Sequence, residues 1–497
     1  MGNIALDVRS YSHVIGGVEA KPEAYIERIS PTSGRVIARF AEGTAETAAA
    51  AIAEARSAFD QGPWPRLSGQ ERSRVLMRAA LAIRERKEEL ARIDSEEVGK
   101  PIRLARNDIE GVIGHFEFAA ALALQVHGDA HSNLGPQYTG MVMREPVGVV
   151  GMITAWNFPA LTYSQKVPYA LAAGCTVVLK PSEFTSGSAL EISRLLLECG
   201  VPTGALNVVT GYGSPVGEAL VDSPDVDFIS FTGSTATGQR IAAAAANTTK
   251  RSSLELGGKG ANVVFADADL DDAIDGALFA VFFNSGQVCV SGSRLIVQDS
   301  VADEFVARLA ERARQLRVGD PGDESTQLGP LIHNIQAEKV LGLIASARSE
   351  GADLVMGGER LSEGAYAGGS FIAPTIFDRV TPEMTIFRQE IFGPVLSVVR
   401  FSDESEALAL ANDTEYGLSN AVWTKNVDVA MRMVHGMRAG TVWVNTSTDI
   451  GPQMPYGGVG ASGYGREMGR AGLDEFTELK TCLIHTGKRA PFLPFAD

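Results

Sequence analysis

Cys289 lies in Gly286-Gln-Val-Cys-Val-Ser-Gly-Ser-Arg294, with small and polar residues on both sides. A cysteine is either a buried, inert core group or, where it is exposed beside groups that favour the thiolate, a nucleophile. Glu255-Leu-Gly-Gly-Lys259 sets a carboxylate at the end of a strand-like run, directly before two glycines. Asn157, in Ala155-Trp-Asn-Phe-Pro159, carries an amide that either donates to a developing oxyanion or braces a turn. Two further segments have the form of phosphate and sugar sites. Phe231-Thr-Gly-Ser-Thr-Ala-Thr-Gly238 joins a strand pattern to a helical one. Its free helix-terminal N–H groups suit a phosphate, and a plain strand-to-helix turn would look the same. The G-x-x-x-x-G spacing lacks the lysine of a P-loop. Lys180-Pro-Ser-Glu183 ends another strand pattern. Glu183 can accept from both hydroxyls of a ribose while Lys180 donates, or both charges can simply be solvated.

These residues sit at the joints of a regular pattern. Short apolar runs at 148–154, 176–180, 206–210, 226–231 and 253–256 alternate with helical patterns at 161–173, 185–199, 214–221 and 235–246. Such alternation predicts parallel β-α-β units in a Rossmann-like sheet, where ligands bind beyond the C-terminal strand ends. A second α/β stretch spans about 262–445, with helical patterns at 269–283, 301–316 and 334–349 and strand-like runs at 293–297, 395–401 and 440–445. Ahead of both, 45–60 reads as an alanine-rich helix. Ser68 with Glu71 makes a capping box for a long amphipathic helix that should stop near Gly99 and Pro101. The glycine-rich 451–469 reads as a loop.

At 497 residues the chain is too long for one hydrophobic core, so two or three domains are expected. A net charge of −16 and a pI near 5.0 repel phosphate backbones, and no long basic run offsets them, so nucleic acid is not an expected partner. The longest apolar run, 167–179 between Lys166 and Lys180, is too short to span a bilayer. Cys175, Cys199, Cys289 and Cys482 form no close pair, which argues against a disulfide framework or a zinc site and for a reducing compartment. The first residues show no basic region followed by an apolar stretch, and Leu6 stands where a myristoylation signal needs Ser or Thr. The expected location is the cytoplasm, with no membrane partner.

Taken in order, Trp156-Asn157-Phe158-Pro159, Phe231-Thr-Gly-Ser234, Glu255-Leu-Gly-Gly-Lys259, Gly286-Gln-Val-Cys289 and Glu390-Ile-Phe-Gly-Pro394 resemble the aldehyde dehydrogenase superfamily, from about residue 25 to 490. The resemblance implies NAD(P)-dependent oxidation of an aldehyde to the acid through a thiohemiacetal and then a thioester on Cys289. It implies Glu255 as base for the deacylating water, and Asn157 with the backbone N–H of Cys289 as oxyanion hole. It further implies cofactor contacts from Lys180 and Glu183 at the adenosine ribose, Gly213 and Gly217 on the adenine side, and Ser234 at the phosphates. Glu390 and Phe392 would hold the nicotinamide end, with Gln336 and Lys339 at a further ribose contact. Ile153, Trp156, Phe231, Gly233 and Leu256 complete that expected wall. Glu255 favours hydrolysis over transfer to coenzyme A, whose users in the family generally lack a glutamate there. Glu183 favours NAD over NADP, because a carboxylate repels a 2′-phosphate. Retention of Cys289, Glu255 and Asn157 counts against a non-catalytic relative; esterase activity through the same thiol would need no cofactor turnover. No metal is required.

By the same resemblance, 1–126 and 147–257 would form a dinucleotide-binding domain, and 258–461 an α/β catalytic domain. Residues 127–146 with 477–490 would make a small β element that extends a neighbouring subunit's sheet, in a homodimer or homotetramer. The expected substrate pocket is Phe158, Thr162, Gln165, Val288, Val290, Ile450 and Tyr456, a mixed, largely neutral tunnel. Gln165 stands where relatives acting on succinate semialdehyde carry an arginine, so bidentate recognition of a substrate carboxylate is lost. A neutral aliphatic or aromatic aldehyde is therefore the expected substrate. Asp449 beside Ile450 would suit a cationic aminoaldehyde or be a surface charge. Gly460 replaces a lysine common in the family's loop, which bears on loop order or oligomer packing.

Overall fold

Local capping sets where the helical layer begins. Thr44 closes a reciprocal box with Thr47 ahead of the helix Ala45–Asp60, and Ser68 does the same with Glu71 ahead of Gly69–Glu85. The computed structural model describes residues 8–20, 22–489 and 491–493. The long helix expected to reach Gly99 is two helices. It breaks at Arg86, whose guanidinium reaches Glu89 and Glu191, and continues as Lys87–Val98 to Gly99 at φ 85°. A further helix, Ile102–Ala123, buries Ile109, Val112, Ile113 and Phe116 beneath these two; the sequence reading did not place it.

The first large sheet has eight strands, with a parallel centre ordered Arg251–Glu255, Phe228–Thr232, Val149–Ile153, Thr176–Lys180 and Leu206–Val208. Val149–Ile153 and Thr176–Lys180 are buried along their whole length, as expected where helices cover both faces. Register brings their ends level: Ile153 lies opposite Lys180 and Phe231, and Thr232 opposite Glu255. All the candidate segments that follow these strands therefore leave from one edge of the sheet.

A second sheet of seven strands holds Val395–Phe401, Arg294–Gln298, Ala261–Val264, Ser419–Trp423 and Thr441–Val444 side by side and parallel. Ala261–Val264 and Ser419–Trp423 are fully buried strands absent from the sequence reading. A small antiparallel sheet pairs Tyr138–Pro146 with Thr477–His485 over nine residues, and leaves Leu479, Leu483 and Ile484 exposed. The glycine-rich 451–469 is mostly irregular, but Gly463–Tyr464 within it pairs with the edge of the first large sheet. No helix among the described residues is long and apolar enough to cross a membrane.

Candidate active site

Five short motifs, distant in sequence, hold one another in place. The Gly233 N–H donates to the Glu255 carbonyl at 3.0 Å. The Gly258 N–H donates to the Glu390 carboxylate at 3.0 Å. Residues Asn284, Ser285 and Gly286 all adopt left-handed backbone, at φ 48°, 57° and 74°, and turn the chain sharply just before Cys289. A Cβ on Gly286 would lie 2.1 Å from the Gly393 carbonyl oxygen, so glycine alone lets the cysteine loop lie against the 390–394 segment. From the opposite side the Asn157 amide donates to the Gln287 carbonyl at 3.0 Å, and Asn284 donates to the Asn157 carbonyl at 3.1 Å. One N–H of the Asn157 amide is thereby fixed on the cysteine loop, which sets the direction of the other.

These motifs surround a cavity of about 530 Å³. Cys289, Glu255 and Asn157 all line it, as do all the residues expected to form the substrate tunnel. Gly233 and Ser234 line it too, and Ser234 caps the helix Thr235–Ala246 by accepting from the Thr237 N–H at 3.3 Å. Trp156, Leu256, Gln336, Lys339, Glu390 and Phe392 also face the cavity, with the Trp156 and Phe392 rings edge to face at 5.3 Å. The cavity lining thus joins the thiol, a helix N-terminus that suits an anion and a mostly apolar tunnel.

Burial governs the electrostatics. Desolvation pushes the Cys289 thiol up to about 12; a hydrogen bond with Tyr456 opposes that rise, and the Glu390 and Glu255 carboxylates add to it. Among the described residues neither oxygen of the buried Glu255 is hydrogen-bonded, and burial together with the nearby Glu467 carboxylate holds its carboxyl well above the usual range. Burial likewise raises Glu390, against the Gly258 N–H bond and the Lys339 and Lys259 ammonium groups. A raised carboxyl with no partner is suited to exchanging protons near neutral pH.

A thiol, an uncommitted carboxylate and an oriented amide around one cavity are the parts needed to form and break an acyl bond. Residues 18–482 match the model of the aldehyde dehydrogenase family. The chain belongs to that family. Betaine aldehyde dehydrogenase of Bacillus subtilis is 44% identical over 463 residues, which is 93% of this chain and 94% of that protein. A peroxisomal aminoaldehyde dehydrogenase of Pisum sativum is 41% identical, covering 93% of this chain and 92% of its own. Among solved structures, an NAD-dependent aldehyde dehydrogenase from Sinorhizobium meliloti superposes with a TM-score of 0.96 at 46% identity, over 98% of this chain and 97% of that one. Betaine aldehyde dehydrogenase from Staphylococcus aureus in complex with NAD+ gives a TM-score of 0.96 at 36% identity, over 99% and 98%.

In this aldehyde dehydrogenase, Ile153, Lys180, Glu183, Gly213, Gly217 and Phe231 fall outside the cavity lining. They form the neighbouring stretch of the same sheet edge. The Cβ position of Gly217 is 3.5 Å from Ile153 and 3.9 Å from Lys180, and the Lys180 ammonium reaches Glu183 at 3.4 Å. Burial lowers Lys180, partly offset by Glu183. Asp449 is exposed, accepts from the Thr446 hydroxyl and does not line the cavity, whereas Ile450 does. Gly460 sits at φ 62° with the Glu415 carbonyl 2.8 Å from where a Cβ would be, so a lysine there would be strained.

The sequence reading missed part of the wall. Gly111, Gly114, His115 and Asp108 come from the helix Ile102–Ala123, and Leu161 and Phe283 complete that side. It also missed the buried ion pair of Lys166 with Glu467 and the contact of Tyr456 with Cys289. The i,i+3 and i,i+4 apolar spacing of 109–116 marks a buried helix, but nothing local shows which cavity it faces.

Proposed function

We propose that the enzyme oxidises a neutral aliphatic or aromatic aldehyde to the carboxylic acid with NAD, with Cys289 as nucleophile, Glu255 as base and Asn157 as oxyanion donor. The observation that carries this reading is the Glu255 carboxylate, buried without a partner among the described residues in the same cavity as the Cys289 sulfur. Once the Cys289 thiol has given its proton to water, the sulfur lone pair forms the C–S bond to the carbonyl carbon while the carbonyl π pair moves to oxygen. There the Asn157 amide and the Cys289 backbone N–H donate to it. Bound NAD supplies the two-electron acceptor for the hydride that leaves that carbon. The remaining thioester is cleaved by water: Glu255 takes a water proton, the oxygen bonds to the acyl carbon, and sulfur departs with the C–S pair.

The residues present fit the dinucleotide. Ser234 and the helix N-terminus behind it offer N–H groups to a phosphate, and Glu390, Phe392, Gln336 and Lys339 line the route from there to Cys289. Lys180 and Glu183 are the residues we assign to the adenosine ribose, with Glu183 favouring NAD over NADP. Residues 1–126 and 147–257 carry this cofactor side in our reading, and 258–461 supplies the thiol.

Several relatives are named for betaine aldehyde or aminoaldehydes, so a cationic substrate is the second reading. Against it, the carboxylates that line the substrate side are already committed: Asp108 to Lys100, Glu110 to Lys87 at 2.5 Å, and Glu467 to Lys166. A substrate cation would have to compete with those ammonium groups. The exposed Leu479, Leu483 and Ile484 on the small sheet support self-association as a dimer or tetramer. Unpaired cysteines are in keeping with a reducing cytoplasm.

The test is NADH formation by the purified enzyme with short aliphatic, aromatic, cationic and carboxylated aldehydes, with and without coenzyme A. Turnover without coenzyme A and the highest kcat/KM on a neutral aldehyde are expected. Strict dependence on coenzyme A, or a cationic or carboxylated aldehyde ranking first, overturns the corresponding part of the reading.

A further inference from the structure

Tyr456 lines the cavity beside the reactive thiol, and its hydroxyl lies 3.0 Å from the Cys289 sulfur. A phenylalanine would fill nearly the same space, so packing alone does not call for the hydroxyl. That oxygen makes its one described hydrogen bond to the sulfur. The ring cannot drift from it easily. Tyr456 is 7% exposed, and its backbone is clamped to Glu467 by two N–H···O bonds of 2.8 Å, one in each direction.

The charges around the sulfur make a donor useful. Glu255, at the end of its strand, and Glu390, from the 389–394 segment, both oppose a negative sulfur. Glu467 lies behind Tyr456 but is paired with Lys166. Among the described residues no lysine, arginine or histidine side chain hydrogen-bonds to the sulfur. A thiolate here must be held by dipoles, which leaves the Val290 backbone N–H and the Tyr456 hydroxyl.

We infer that Tyr456 is a further catalytic residue of this enzyme: its hydroxyl donates to the Cys289 sulfur and carries part of the thiolate charge. The inference rests on Cys289 being the nucleophile. When the thiol loses its proton to cavity water, the electron pair stays on sulfur and the phenol O–H turns to donate to it. Tyr456 keeps its own proton throughout, because burial and the surrounding acids resist a phenolate. On attack the charge leaves sulfur for the carbonyl oxygen and this bond weakens. In deacylation the charge returns to sulfur as the C–S bond breaks, and the same hydroxyl receives it. One residue thus serves both ends of the cycle without any bond of its own being made or broken.

The experiment is the pH dependence of Cys289 alkylation by iodoacetamide, followed on the Cys289 peptide by mass spectrometry, in wild type and Tyr456→Phe. A lost hydrogen bond to a charged group predicts a midpoint raised by about one pH unit and alkylation at neutral pH slowed about tenfold. Incorporating 3-fluorotyrosine at position 456, a more acidic phenol of the same shape, should lower the midpoint instead. A purely packing role would leave both midpoints at the wild-type value, and that result overturns the inference. Cys289→Ala separates the two layers of argument. Sustained aldehyde oxidation by that variant refutes the nucleophile; an inactive Cys289→Ala alongside an unshifted Tyr456→Phe refutes only the role given to the tyrosine.

Discussion

On the wall of the cavity Asp108, Glu110 and Glu467 each meet a lysine, whereas on its floor neither Glu255 nor Glu390 takes part in a salt bridge among the described residues. The wall carboxylates are spent on holding helices and loops together. Leaving a buried carboxylate without a counter-ion costs stability, so an unpaired one is tolerated where its proton is needed. Along the wall each of these acids is thus offset by an ammonium group.

The largest effect should follow from changing the floor. Glu255→Gln keeps the shape but cannot take a proton, so steady-state turnover should fall by on the order of 10²–10⁴-fold. A single burst of NADH per active site should remain, and intact-mass measurement should show the acyl group still on Cys289. A variant that turns over freely would mean that water is activated elsewhere.

An intermediate effect should follow from Glu467→Gln, which acts on the floor through the wall. A base must be unprotonated to work, so a carboxyl raised in the folded enzyme limits deacylation on the acid side of the profile. Glu467 is the largest charge raising Glu255, and Lys166 opposes it. Removing the Glu467 carboxylate should let Glu255 fall, and the acid limb of kcat should move to lower pH. A limb that moves to higher pH would show that Glu255 is not the group being titrated.

The smallest effect should come from unpairing the wall. Lys87→Met releases Glu110, an exposed residue whose ion pair is worth little in stability. It should raise kcat/KM for a cationic aldehyde a few-fold, about threefold at low salt, and leave a neutral aldehyde unchanged. Equal changes for both substrates would mean that the effect is structural rather than electrostatic.

How much of this was legible in the sequence depended on the distance over which information had to travel. The strand-end motifs were readable because each carries its own local signature, and parallel register then aligns them. The three catalytic candidates stand in motifs and the tunnel residues came from the family resemblance, and the fold brings both sets to one cavity. The helix joint at Arg86 was not readable, because it is held by Glu191, far along the chain. The Lys166–Glu467 pair, 301 residues apart, and the Cys289–Tyr456 contact, 167 apart, exist only once both large sheets are assembled. Within Pro455-Tyr-Gly-Gly, the tyrosine reads as one more wall aromatic until its hydroxyl is seen at the sulfur.

The left-handed turn at 284–286 and the contact of Gly286 with the Gly393 carbonyl bear on how such a sequence can drift over generations. No single replacement at Gly286 avoids that carbonyl, so the reactive loop and the 390–394 segment can change only together, if at all. The helix Ile102–Ala123 is under no such interlock where it meets the cavity. A Cβ at Gly114 would find its nearest neighbour 4.0 Å away, and one at Gly111 would meet only the end of the Leu161 side chain. Lineages should therefore diverge in what they accept by editing this helix first, while the cysteine loop stays fixed.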